Sequence, residues 1–256
     1  MFQTFLNRSL QRKVPRISVQ FWIVKVLTTA MGEALSDYLV FHNNPYIAVI
    51  SGFFVFVLAL IIQFYLKKYV SWVYWFAVSM VAVFGTMVAD VIHVFFGIPY
   101  LISTIMFSII LIFVFIIWYK SEKTLSIHSI YNTQREIFYW TCVIVTFALG
   151  TACGDMTAAT IGIGYFASGL LFIILILIPA LMYYKFKFNP ILLFWLSYIL
   201  TRPLGASFAD WIGKPVSVGG IGFGTGKLSI IIISLIIIFV IYFTVSKTDI
   251  EKSKAD

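Results

Sequence analysis

Apolar runs long enough to cross a hydrocarbon core recur along nearly the whole chain, separated by short polar connectors in which basic residues cluster. A helix needs about 20 predominantly apolar residues to span a core of roughly 30 Å, so the pattern predicts an all-α, polytopic membrane protein. The runs are related to one another. FWIVKVLTTAMGEALSD, YWFAVSMVAVFGTMVAD, YWTCVIVTFALGTACGD and FWLSYILTRPLGASFAD align without a gap. Each carries an aromatic residue followed by Trp, a Gly ten residues after the Trp and an Asp five after the Gly. The registers are Trp22, Gly32, Asp37; Trp75, Gly85, Asp90; Trp140, Gly150, Asp155; and Trp195, Gly205, Asp210.

The four Asp positions are 53, 65 and 55 residues apart, which leaves room for the rest of the motif helix, a turn, a second apolar helix and a basic connector. Second spans are expected near 46–66, 100–118, 161–183 and 228–245, with Pro45, Pro99 and Pro190 at helix starts, where proline is tolerated. The expectation is therefore one membrane domain, 1–256, with eight transmembrane helices in four two-helix repeats. The repeats fall at about 17–68, 69–122, 134–187 and 190–246, between tails at 1–16 and 247–256. An even number of spans per repeat makes the repeats parallel, and a fourfold or nested twofold arrangement about the membrane normal follows.

Composition agrees: 61% of the 256 residues are hydrophobic and 11% charged, which leaves little for a soluble domain. The net charge of +8 does not point to nucleic acid, because the basic residues lie in connectors rather than on a folded basic face. Of the 18 Lys and Arg, fourteen fall on one side of the expected topology, only Lys214 and Lys227 on the other, and Lys25 and Arg202 within spans. The positive-inside rule then predicts a bacterial cytoplasmic (inner) membrane protein with both termini cytoplasmic. The N-terminal segment is basic and lacks a cleavage site behind a short apolar core, so it is not read as a secretory signal. Cys142 and Cys153, eleven residues apart on one expected helix, are too distant for a disulfide.

Four residues after each motif Gly stands another small residue, Ser36, Ala89, Gly154 or Ala209, a spacing that lets helix backbones approach closely in lipid. The Trp residues are expected to serve as interfacial anchors or packing. Positions seven, eleven and fifteen after the Trp share a face. That face carries Thr29, Glu33 and Asp37; Ala82, Thr86 and Asp90; Phe147, Thr151 and Asp155; and Arg202, Ala206 and Asp210. Five of the ten acidic residues lie in these helices. Carboxylates in hydrocarbon are costly, so they imply a hydrated cavity, pairing or a bound cation. The alternative is that each Asp sits in the headgroup layer. Asp37, Asp90, Asp155 and Asp210 are the candidate cation ligands, Glu33 and His93 candidate additional ligands, and Lys25 and Arg202 candidate counter-ions. A His donor would favour Mn²⁺ or Fe²⁺ over Mg²⁺ or Ca²⁺. The segment 213–227, with its run of glycines, reads either as a re-entrant or gating loop or as an ordinary flexible one.

The four two-span copies, with LTTAMGEALSD in the first and RPLGASFADW and GGIGFGTGK in the last, resemble a bacterial family of membrane repeats of unknown function, uncharacterised membrane-anchored proteins. The resemblance covers 13–245 and implies eight spans but no substrate. The acids carry the functional expectation: a small cation transporter or channel, for a divalent metal such as manganese or for protons, built on a four-Asp ring. The partners expected are the lipid bilayer and the cation, with no resident cofactor and no nucleic acid. The alternative is a non-transporting scaffold or sensor whose Asp cluster is structural. No nucleophile-base pair or metalloprotease motif is present, so an enzyme is not expected.

Overall fold

A computed structural model describes residues 12–250; Arg8, Lys252 and Lys254 of the basic count, and most of both expected tails, lie outside the described residues. The described chain is all-α, with eight long helices: α1 Val19–His42, α2 Pro45–Tyr65, α3 Ser71–Asp90, α4 Tyr100–Glu122, α5 Thr133–Asp155, α6 Gly164–Phe186, α7 Pro190–Gly213 and α8 Thr225–Ser246. Helices α3 and α5 run on into single π-helical turns, Val91–Phe95 and Met156–Thr160. The third second span begins at Gly164 rather than near 161, because residues 161–163 form the connection that follows the turn. Seven of these helices are long and apolar enough to cross a membrane. The remaining one, α1, is 24 residues long and carries three charges, Lys25, Glu33 and Asp37. The chain is a helical membrane protein.

Local chemistry sets the boundaries. Pro45 and Pro190 open α2 and α7 behind Asn44 and Asn189, whose side-chain oxygens accept from the first free amides, Tyr46 N at 3.0 Å and Ile191 N at 2.9 Å. Helices α4, α6 and α8 each end on a lysine in the left-handed region, Lys123, Lys187 and Lys247. A cation there also complements the negative end of the helix dipole.

The motif helices α1, α3, α5 and α7 form the centre and contact one another in a closed ring, α1 to α3 to α5 to α7 and back to α1. The ring repeats at two levels. Near the helix starts, the aromatic residue before each Trp packs on the Trp of the next helix: Phe21 on Trp75 at 5.7 Å, Tyr74 on Trp140 at 5.7 Å, Tyr139 on Trp195 at 6.2 Å and Phe194 on Trp22 at 5.6 Å. Higher up, each motif Gly packs on the residue seven after the next Trp. A β-carbon on Gly32 would fall 2.5 Å from Ala82 Cβ, and one on Gly85 2.8 Å from Phe147 Cβ; one on Gly150 would strike Arg202, and one on Gly205 Thr29. With apolar burial giving no drive for helices to associate in lipid, this close backbone approach is a main source of their affinity. The motif Trp residues 75, 140 and 195 are buried, so they serve as packing.

Each second helix packs chiefly on the motif helix of the following repeat: α2 on α3, α4 on α5, α6 on α7, and α8 on α1. Their outer faces expose large apolar side chains such as Phe54, Phe113, Ile174 and Ile238, suited to lipid. Residues 12–16 lie across the basic end. Lys13 N donates to Ile130 O, Tyr69 N to Arg12 O and Arg16 N to Asp249 O, at 3.0, 3.0 and 2.7 Å. Part of the segment read as a tail is thus built into the fold. Buried Lys13 pairs with buried Glu136, which also accepts from Gln63 Nε2 at 3.0 Å. Asp249 accepts from Tyr69 and Ser71, each at 2.6 Å. Burial and the Asp249 carboxylate push the Tyr69 hydroxyl well above its ordinary pKa, which keeps it a donor.

Candidate functional site

Along α1, Lys25, Thr29, Glu33 and Asp37 stand at successive intervals of four and form one stripe facing the ring's interior. Their surroundings change level by level. Lys25 is 1% exposed; its ammonium has no hydrogen-bond partner and lies between the faces of Phe147 and Tyr198, 3.9 and 4.0 Å from the ring centres. The contacts are cation–π in geometry. Among the described residues, Lys25 therefore meets no carboxylate.

One turn higher, Arg202 of α7 is fully buried and ties all four motif helices together. Its Nη1 donates to Thr29 O at 2.8 Å, and its Nη2 faces Glu33 Oε2 at 3.2 Å, Thr151 Oγ1 at 2.7 Å and Thr86 Oγ1. The forked, planar guanidinium is suited to several acceptors in fixed directions. Arg202 pairs with an acid and Lys25 does not.

Above Arg202, Glu33, Asp37 and Asp210 are all buried and each offers an oxygen within 4.8 Å of the other two. Lys214, the residue that follows α7, reaches the same carboxylates, with its Nζ 2.9 Å from Asp210 Oδ1 and 3.6 Å from Asp37 Oδ2. Asp37 Oδ2 is buried and has no hydrogen-bond partner. Asp37 and Lys214 line a cavity of about 520 Å³ together with Tyr165, Gly213 and Thr225, and it reaches the surface past exposed Phe41, His42, Pro215 and Val218.

The four-Asp ring divides. Asp37 and Asp210 join Glu33, whereas Asp90 and Asp155 stand where α3 and α5 pass into their π-helical turns. Among the described residues, no group of three or more His, Cys, Asp and Glu with metal-ligand spacing includes Asp90, Asp155 or His93. Asp90 and Asp155 are near enough to interact electrostatically with Glu33 and Asp37. His93 is turned away; its Nδ1 is 2.9 Å from Ile98 O and its ring stacks on Tyr100 at 3.5 Å. The convergent donors are therefore all oxygen, a set that suits Mg²⁺, Ca²⁺ and Mn²⁺ alike.

Sequence reasoning left Lys214 in a loop. The signal was its spacing of four from Asp210, since residues four apart on a helix are neighbours. The glycine-rich segment is an ordered cap: Ile221, Phe223, Gly224 and Gly222 donate to the carbonyls of Trp211, Ile212, Gly213 and Lys214, at 2.7, 3.1, 3.2 and 2.9 Å. Gly219, Gly222 and Gly224 have positive φ, and a β-carbon on Gly220 would run into the Lys214 backbone.

Counted with Lys214, five carboxylates (Glu33, Asp37, Asp90, Asp155, Asp210) face three cations (Lys25, Arg202, Lys214), so two negative charges are uncompensated if all ionise. The arrangement defines a class: a helical membrane protein of four internal repeats with an acidic pocket between them. The chain belongs to the family described as Repeat of Unknown Function (DUF347), which matches it in four copies, at 20–69, 73–124, 138–188 and 193–249. No curated protein and no solved structure matches it.

Proposed function

We propose that the chain crosses the bacterial cytoplasmic membrane eight times as four parallel two-helix repeats, and that Glu33, Asp37 and Asp210 bind a divalent cation such as manganese for transport. Two contact levels in the same register and sense around the ring support parallel repeats, because an inverted neighbour would bring its Trp to the far end. The length of α1, equal to that of its three counterparts to within a turn, supports an eighth span despite its charges. Its charges meet protein partners inside the ring rather than lipid. The basic excess supports an orientation with the starts of the motif helices on the cytoplasmic side and the cavity on the opposite one.

The observation that carries the transport reading is the convergence of three buried carboxylates, one of which, Asp37, lines a surface-connected cavity. Buried carboxylates this close repel, and a hard divalent cation relieves that repulsion with oxygen ligands. Below the pocket, Arg202 and the aromatic layer of Tyr74, Trp75, Tyr139 and Trp140 are buried, which supports a carrier open to one side. A static scaffold is the second reading, favoured by the Arg202 clasp across four helices.

The test is flux in proteoliposomes for Mn²⁺, Fe²⁺, Mg²⁺, Ca²⁺, K⁺ and H⁺, comparing the wild type with Asp37→Asn and Asp210→Asn. Flux of a divalent ion that falls at least tenfold in both variants, each still monodisperse, supports the proposal. No flux of any ion, or full flux in both variants, leaves the scaffold reading.

A further inference from the structure

Lys214 occupies the place a substrate cation would take. Its ammonium bridges Asp210 and Asp37 at 2.9 and 3.6 Å and lines the cavity. The bridge is unequal. Asp210 is satisfied at hydrogen-bond distance, whereas Asp37 Oδ2, on a residue 7% exposed, is left without a hydrogen-bond partner at the cavity wall. As placed, the ammonium is at hydrogen-bond distance from Asp210 and farther from Asp37, and a divalent ion with several oxygen ligands can engage all three carboxylates.

The backbone of Lys214 is held, and its side chain borders the cavity. Lys214 N donates to Asp210 O at 2.9 Å, and Lys214 O accepts from Gly222 N at 2.9 Å. The glycine-rich segment leaves no room for a β-carbon at Gly220 against that backbone. In the same placement the ammonium also lies over the ring of Tyr165, another cavity-lining residue, with the ring centre 5.0 Å from Nζ. An ammonium over an aromatic face at that distance is favourable.

We infer that Lys214 is a tethered cation that holds the carboxylate pocket between transport events and is displaced by the arriving divalent ion. The inference rests on the cation-site reading above. It makes Lys214 a determinant of affinity, since the incoming ion competes with a resident charge present at high local concentration. It also offsets part of the negative charge of the unloaded pocket, which is costly for an acid cluster in a membrane.

Direct binding of Mn²⁺ to the purified full chain in detergent, followed by loss of the free-ion electron paramagnetic resonance signal, separates the outcomes. Lys214→Gln is expected to bind Mn²⁺ about tenfold more tightly than the wild type, an ordinary size for coupling between linked ligands. Lys214→Arg, which retains the charge, is expected to stay within about threefold of wild type on the same reasoning. Equal affinity in Lys214→Gln and the wild type, or weaker binding in Lys214→Gln when Lys214→Arg binds normally, overturns the tethered-cation role and leaves the cation site standing. Absence of binding in the wild type and in both variants overturns the cation site and the inference with it.

Discussion

Replacing Arg202 by Met removes a side chain that touches all four motif helices. The guanidinium faces Glu33 at 3.2 Å and hydrogen-bonds Thr29 O, Thr86 and Thr151. With Arg202 gone, the Glu33 carboxylate, 2% exposed, loses its ion-pair partner. Breaking a buried pair from one side costs about 3–5 kcal/mol, most of it the penalty of the stranded charge. The hydrogen bonds add less, on the order of 0.6 kcal/mol each, because helices separated within a membrane find other partners. Removing both charges reverses the logic: Arg202→Met with Glu33→Met leaves no stranded ion and is expected to recover most of the loss. Unfolding in mixed micelles of increasing denaturing detergent, followed by tryptophan fluorescence, gives the four corners of the double-mutant cycle. A single variant within about 1 kcal/mol of wild type, or a double variant no more stable than Arg202→Met, refutes the clasp, since a buried pair broken on one side costs more.

Other outcomes follow from the same geometry. Gly205→Ala places a β-carbon on Thr29 and is expected to destabilise by about 1–3 kcal/mol as overpacking does, whereas Gly154→Ala, whose β-carbon meets nothing nearer than 3.7 Å, stays near wild type; thermal denaturation compares them. Glu136→Ala strands the buried Lys13 and loosens residues 12–16, so the amides of Lys13 and Tyr69 exchange hydrogen faster by mass spectrometry; unchanged protection refutes the strap. In a background without Cys142 and Cys153, a cysteine at Val218 reacts with an impermeant maleimide in intact cells, and one at Lys123 reacts only after permeabilisation; the reverse pattern overturns the orientation.

The all-α fold and the repeat were legible because Trp, Gly and Asp recur at fixed offsets and because lipid demands long apolar helices. The ring order was latent in the same offsets: the residue seven after each Trp is the surface on which the preceding Gly packs. It was hidden because a contact between repeats is not a pattern within one. The packing of each second helix on the following repeat was hidden for the same reason. At the site, Glu33, Asp37 and Asp210 stood out as charges in apolar runs, and Arg202 as their counter-ion. The equivalence of the four Asp residues did not carry through, because α3 and α5 continue into π-helical turns directly after Asp90 and Asp155. His93 was drawn in by its place near the acid face, yet its turn presents it to Tyr100. Lys214 was passed over because the connection rich in glycine read as a loop; its backbone in fact caps α7 and holds that lysine at the pocket.

The most direct test of the central claim is the anomalous difference signal of crystals of the full chain grown with Mn²⁺. The account predicts a peak bounded by Glu33, Asp37 and Asp210, with the Lys214 ammonium displaced from Asp37 and Asp210. Crystals that bind Mn²⁺ only at the surface, with Lys214 still bridging Asp37 and Asp210, would contradict it.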